Sequence, residues 1–122
     1  IEIAEAVGLS STTGFRGQIR KAAHGLERIF RENRRDDLMA AYLMMRRHEK
    51  DMILRGAEKD LKKQSAALSA IRGLMAERPL PAGVREEAAQ HLTHYEKAWA
   101  GLSKAVLRKF ESMREQKRLD GE

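Results

Sequence analysis

Apolar residues at Phe15, Ile19, Ala22, Leu26 and Ile29 recur at intervals of four and three, drawing one stripe down a first helix over residues 14–33. A second periodic stretch covers residues 36–78 and meets no strong breaker before Pro79. Its first half places Leu38, Ala41, Met45, His48 and Met52 on one face, and its second half Leu54, Ala57, Leu61, Leu68, Ile71 and Met75. The register slips by two between the halves, beside Gly56, so the buried face must rotate there through a kink or a change of packing partner. A turn follows at 79–83, around Pro79-Leu80-Pro81. The last helix, 84–119, carries an unbroken seam of Ala88, Leu92, Tyr95, Trp99, Leu102, Val106, Phe110 and Met113.

The flanking signals agree with these bounds. Asn33 suits the close of the first helix, Asp36 or Asp37 the cap of the next, and Glu86 with Glu87 the positive end of the last helix dipole. Residues 1–13 form an N-terminal extension. Gly8, the run Ser10 to Thr13 and Gly14 predict a break or loosened turn there. The fold class expected is all-α, a single module of long antiparallel helices, three to four per chain. Three helices with one seam each leave a side of the bundle unfilled, to be closed by a second copy or by a segment of a longer parent chain.

Composition narrows the class without changing it. The 122 residues include two prolines, no cysteine and 34% charged residues, with a formal net charge of +6. Lacking cysteine, the chain has no disulfides, no thiolate nucleophile and no sulfur metal ligands. Acidic residues are interspersed with the basic ones throughout, as a solvated helical surface requires. Tyr42, Tyr95 and Trp99 fall on or beside apolar stripes rather than among the basic residues, so nucleic acid is not an expected partner. No run of about 18 apolar residues occurs. With Ile1 already inside an apolar pattern, the chain reads as a piece of a longer protein.

The densest polar stretch is Arg46-Arg47-His48-Glu49-Lys50-Asp51, ending at Arg55. Arg47 and Asp51, then Asp51 and Arg55, are spaced for rungs of an ion-pair ladder, each contributing about 0.3 kcal/mol. Six consecutive polar residues wrap the whole helix, so some must face the bundle, where they need partners or a ligand. His48 falls on the apolar stripe itself. On the first helix Arg16, Arg20, His24 and Glu27 line one face. His24 with Glu27, and His91 with His94, have spacings that suit a metal, but the Glu-x-x-His order of carboxylate di-metal bundles is absent, so neither a metal nor another cofactor is expected. There is no phosphate loop, nucleophile elbow or zincin pattern, and no enzymatic activity is expected.

Three segments together resemble a known family: Gly14-Phe15-Arg16-Gly17-Gln18-Ile19-Arg20-Lys21-Ala22-Ala23-His24-Gly25-Leu26-Glu27, Leu43 through Gly56, and His94-Tyr95-Glu96-Lys97-Ala98-Trp99. They are similar to the periplasmic sensor regions of methyl-accepting chemotaxis proteins of the helical bimodular type, over residues 8 to about 110. The middle motif is the specific one. Met52 stands where the family usually has Phe, Ala57-Glu58 replaces the usual acidic residue after Gly56, and the arginine-rich motif occurs once rather than twice.

The resemblance implies one repeat of an extracytoplasmic sensing region in a chemoreceptor, on the periplasmic face of the inner membrane. It also implies a homodimer, anchored by transmembrane helices of the parent protein and coupled to a cytoplasmic signalling domain. The input would be a small organic anion or a periplasmic binding protein. Arg20, Arg46 and Arg47 are the expected carboxylate ligands, with His48, Lys50, Asp51 and Arg55 completing the candidate site. A cytosolic helical adaptor or structural coiled-coil protein is the competing expectation.

Overall fold

The computed structural model describes the backbone of residues 2–121 and the side chains of residues 14–120. Among the described residues the chain forms four helices and no strand: α1 Glu2–Glu32, α2 Asp36–Arg55, α3 Glu58–Glu77 and α4 Ala82–Gly121. They alternate in direction. Arg28 near the end of α1 pairs with Glu87 near the start of α4, and Arg35 at the start of α2 bonds carbonyls at the end of α3. The result is an all-α antiparallel bundle in which α1 lies along α4 and α2 folds back on α3.

The helix expected over 36–78 is two helices. Gly56 sits in the left-handed region at φ +61, and its amide closes α2 by donating to the Met52 carbonyl at 2.7 Å. Glycine adopts this conformation without a steric penalty, so the chain reverses here instead of continuing. The slip in apolar register is therefore a hairpin turn. A rod of roughly 60 Å becomes two antiparallel helices of roughly 30 Å each. The side of the bundle expected to need a second copy or a further segment is filled by α3, from within the chain.

Other boundaries also shift. The break expected between Gly8 and Gly14 is absent, and α1 is helical from Glu2. Each helical glycine costs about 1 kcal/mol, less than the backbone hydrogen bonds that a break would open. Asn33 helps to close α1, donating from Nδ2 to the Ile29 carbonyl at 2.8 Å, while Arg34 takes the left-handed turn conformation. Neither Asp36 nor Asp37 is the cap of α2. That place belongs to Arg35, and both acids lie in the first turn, favourable to the dipole.

The core follows the stripes closely in α1 and α4. Ile19, Ala22, Leu26 and Ile29 from α1 meet Ala88, Leu92, Tyr95, Trp99, Leu102 and Val106 from α4. Phe30 packs edge-on against Tyr42 at 6.4 Å between ring centres, joining α1 to α2. Two expected core positions are exposed. Leu54 lies outside the α2 stripe of Leu38, Tyr42, Met45, Glu49 and Met52, and Met113 lies past the point where the Gly56 turn ends the α2–α3 hairpin. Residues 111–120 are exposed on every face of α4.

Arg35 ties the other end of the bundle together. Its buried guanidinium pairs with both oxygens of Asp37 at 3.0 Å. It also donates to the carbonyls of Arg78 at 2.5 Å and Leu74 at 3.3 Å, satisfying orphan acceptors at the end of α3. The hydrogen bonds from Arg35 hold the Asp37 carboxyl down at about 2.

Two outcomes follow from the turn and from this clamp. Gly56→Ala must strain the left-handed backbone and drive its Cβ into the Phe110 ring, lowering stability by about 1–3 kcal/mol in thermal or urea denaturation. The carboxyl of Asp37 is depressed in the folded state, so its contribution is full above the ordinary Asp value of about 3.9 and is lost as pH falls towards about 2. Asp37→Asn should cost about 2 kcal/mol at pH 7 and flatten the acid limb of a stability–pH profile.

Candidate ligand site

The polar belt expected between Arg46 and Asp51 turns its carboxylate inward one residue away from the position that periodicity assigns to His48. Glu49 occupies the buried stripe of α2, at 5% exposure. The Tyr95 hydroxyl of α4 donates to Glu49 Oε1 at 2.5 Å, and Gln64 Nε2 of α3 donates to the Tyr95 oxygen at 3.1 Å. Arg46 Nη1 reaches both carboxylate oxygens, at 3.1 and 3.3 Å. One chain of hydrogen bonds thus joins three helices across the core.

Burial raises the Glu49 pKa above the usual carboxylate range, against the opposing pull of the Tyr95 hydroxyl and the Arg46 and Lys50 charges. Its effect on stability has the opposite sign to that of Asp37. The folded protein holds the Glu49 proton more tightly, so the contribution is full below the unfolded value of about 4.3 and is lost as pH rises through the raised folded value. Tyr95 is also pushed upward, by burial and by the neighbouring Glu49 charge, and stays a neutral donor.

A second buried acid lies at the hairpin. Asp60, in the first turn of α3, is 1% exposed, with Oδ1 3.5 Å from Arg55 Nη1 across the Gly56 turn. The helix dipole favours its charge there. Asp60 Oδ2, Gln64 Oε1, His48 Nδ1 and Trp99 Nε1 are buried with no hydrogen-bond partner among the described residues.

Beside Glu49, between α1, α2 and α4, lies a pocket of about 190 Å³. Arg16 and Arg20 of α1 and Arg46 and Lys50 of α2 line it, with Glu49 as the single acid and Ile19, Ile53 and Leu102 as apolar wall. Helices α1 and α2 each contribute two cations one turn apart, so four positive side chains line one small volume. A carboxylate placed there meets donors from two helices, and Arg46 is shared between that anion and Glu49.

Three of the expected site residues, Arg20, Arg46 and Lys50, are brought together in this pocket. The other four are not among its lining residues. Arg47 is exposed, His48 and Asp51 are half-buried, and Arg55 serves Asp60. The ladder expected through Arg47, Asp51 and Arg55 does not form, because neither Arg47 nor Asp51 has an ion-pair partner among the described residues and Arg55 turns across the hairpin instead. Arg16 and Glu49 are the additions. Arg16 was legible as the residue one turn before Arg20, and Glu49 as the acid three residues after Arg46. Glu27 is engaged by Arg31 at 2.9 Å.

No protein-family model matches the chain, and no curated protein and no solved structure matches it. Among the described residues no helix is long and apolar enough to cross a membrane.

The hydrogen-bond chain predicts unequal costs for two polar-group deletions. Tyr95→Phe leaves Glu49 buried with Arg46 as its only side-chain partner and should cost about 1–3 kcal/mol in chemical denaturation. Asp51→Ala removes no ion pair and should stay within about 0.5 kcal/mol of the parent.

Proposed function

We propose that this chain is a sensing module of a bacterial chemoreceptor, lying outside the cytoplasm, in which a small organic anion binds between α1 and α2 and biases how the helices pack. The observation that carries this reading is the pocket of Arg16, Arg20, Arg46 and Lys50 set against the buried Glu49–Tyr95–Gln64 chain. Four converging cations suit an anion. Arg46 gives that anion a route into the core, because the guanidinium that would bind it also holds Glu49. A ligand that draws Arg46 away weakens the pairing of Glu49, and the helix arrangement with the lower cost becomes more populated.

The bundle's geometry is compatible with such a relay. Phe15 of α1 packs at Gly101 of α4, and Phe110 of α4 packs at the Gly56 turn, so the start of α1 and the end of α4 lie at one end of the bundle. Segments flanking the module would leave from that end together, as the anchored receptors that the motifs resemble require. A homodimer in the parent receptor belongs to the same proposal. Leu43, Met44 and Leu54 are large apolar residues exposed on α2.

Two measurements test the reading. Apolar spans of about 20 residues on both sides of the sensing region in the parent gene, followed by a long heptad-rich region, support a receptor, and their absence overturns it in favour of an adaptor or coiled-coil protein. In a thermal-shift screen of small mono- and dicarboxylates, the expected result is a raised midpoint, diminished at least tenfold in apparent affinity by Arg20→Gln or Lys50→Gln. A folded protein unmoved by every acid favours input from a binding protein instead.

A further inference from the structure

On the opposite flank of α1 from the Arg20 pocket, a groove of about 440 Å³ runs along the α1–α4 seam over a floor at Ala22. Its polar side chains are Gln18 and Lys21 from α1, and Gln90, His91, His94 and Lys97 from α4. We propose that this groove is a second anion site, taking a small polyvalent oxyanion carried on phosphate or carboxylate groups.

The argument begins with charge. Elsewhere α4 meets its neighbours through opposite charges: Arg28 pairs with Glu87 at 3.0 Å, and Arg72 with Glu96. In the groove no carboxylate is among the lining residues. Lys21 and Lys97 face one volume from two helices, and neither has an ion-pair partner among the described residues. Like charges facing one volume repel, and an oxyanion between them converts that repulsion into two attractions. The same lysines oppose a metal cation, despite the His91 and His94 spacing.

Shape supplies the second argument. A Cβ on Gly25 would stand 2.5 Å from His91 Nε2, so the imidazole lies directly against the backbone of α1 where any other residue would displace it. Gly25 thereby seats His91 as a fixed wall. Beside that wall, the ammonium groups of Lys21 and Lys97 and the side-chain amides of Gln18 and Gln90 line the same groove as donors. Several donors and no acid suit a ligand with several acceptor oxygens rather than a single carboxylate.

The test is isothermal titration of the whole 122-residue chain with pyrophosphate and, separately, with citrate, at low ionic strength. Saturable binding of at least one probe is expected, and the tighter probe identifies phosphate or carboxylate as the preferred source. The double variant Lys21→Gln with Lys97→Gln should weaken it at least tenfold, and Gly25→Ala at least threefold, with melting curves showing that each variant is folded. Arg20→Gln with Lys50→Gln should leave it within twofold, which separates this groove from the pocket beside Glu49. No saturable binding of either probe overturns the proposal. So does binding that, in the Arg20→Gln with Lys50→Gln background where the pocket beside Glu49 is disabled, survives loss of both lysines, or binding that is already absent in that background.

Discussion

The left-handed turn at Gly56 decides what this chain can become. A continuous helix through that point would present two apolar faces out of register and leave a bundle of three helices open on one side. Reversal at Gly56 folds the second half back on the first, so that Ala67, Leu68 and Ile71 join the core that Leu38, Met45 and Met52 begin. The turn also brings Asp60 within reach of Arg55 and lays Phe110 against the backbone. One residue without a Cβ thus converts a periodic stretch of some forty residues into two walls of a closed bundle.

Closure by polar residues has a cost that apolar packing alone would avoid. Glu49, Gln64 and Asp60 occupy positions that hydrophobic residues could fill, and four buried polar atoms have no hydrogen-bond partner among the described residues. Replacing such networks with well-packed apolar side chains is often neutral or stabilising, so their presence is weak evidence for stability. What the network provides is register. Tyr95 meets both Glu49 and Gln64 only if α2, α3 and α4 stand at one relative height. Arg46 belongs both to this network and to the lining of the neighbouring cationic pocket.

Much of the fold was legible in the chain, and the exceptions share a cause. The stripes of α1 and α4 are long and apolar, so period alone located Ile19 to Ile29 and Ala88 to Val106. In α2 and α3 the buried positions include Glu49, Asp60 and Gln64, which hydropathy assigns to solvent. Extending the spacing of Ile71 and Ala67 backward by three and four residues reaches Gln64 and Asp60, so geometry held the signal that polarity hid. Gly56 showed only as a slip of two, since a kink and a reversal leave the same trace in a one-dimensional pattern. For the site, Arg20, Arg46 and Lys50 emerged from charge and spacing. Arg47, His48 and Asp51 were drawn in because consecutive residues on a helix point in different directions, a separation that a run of polar letters conceals.

Arg35 gives the two ends of the bundle unequal stiffness. At its end, one guanidinium joins the α1–α2 connection to the last turn of α3, so three helices are pinned within a few ångströms of a common point. At the far end α2 and α3 are joined by the short Gly56 turn, and residues 111–120 of α4 are exposed to solvent. Helices of roughly 30 Å are stiff on that scale, so they behave as arms about a pivot. A displacement of a fraction of an ångström near Glu49, about two-thirds of the way from Arg35 to the Gly56 turn, grows by roughly half by the time it reaches the open end.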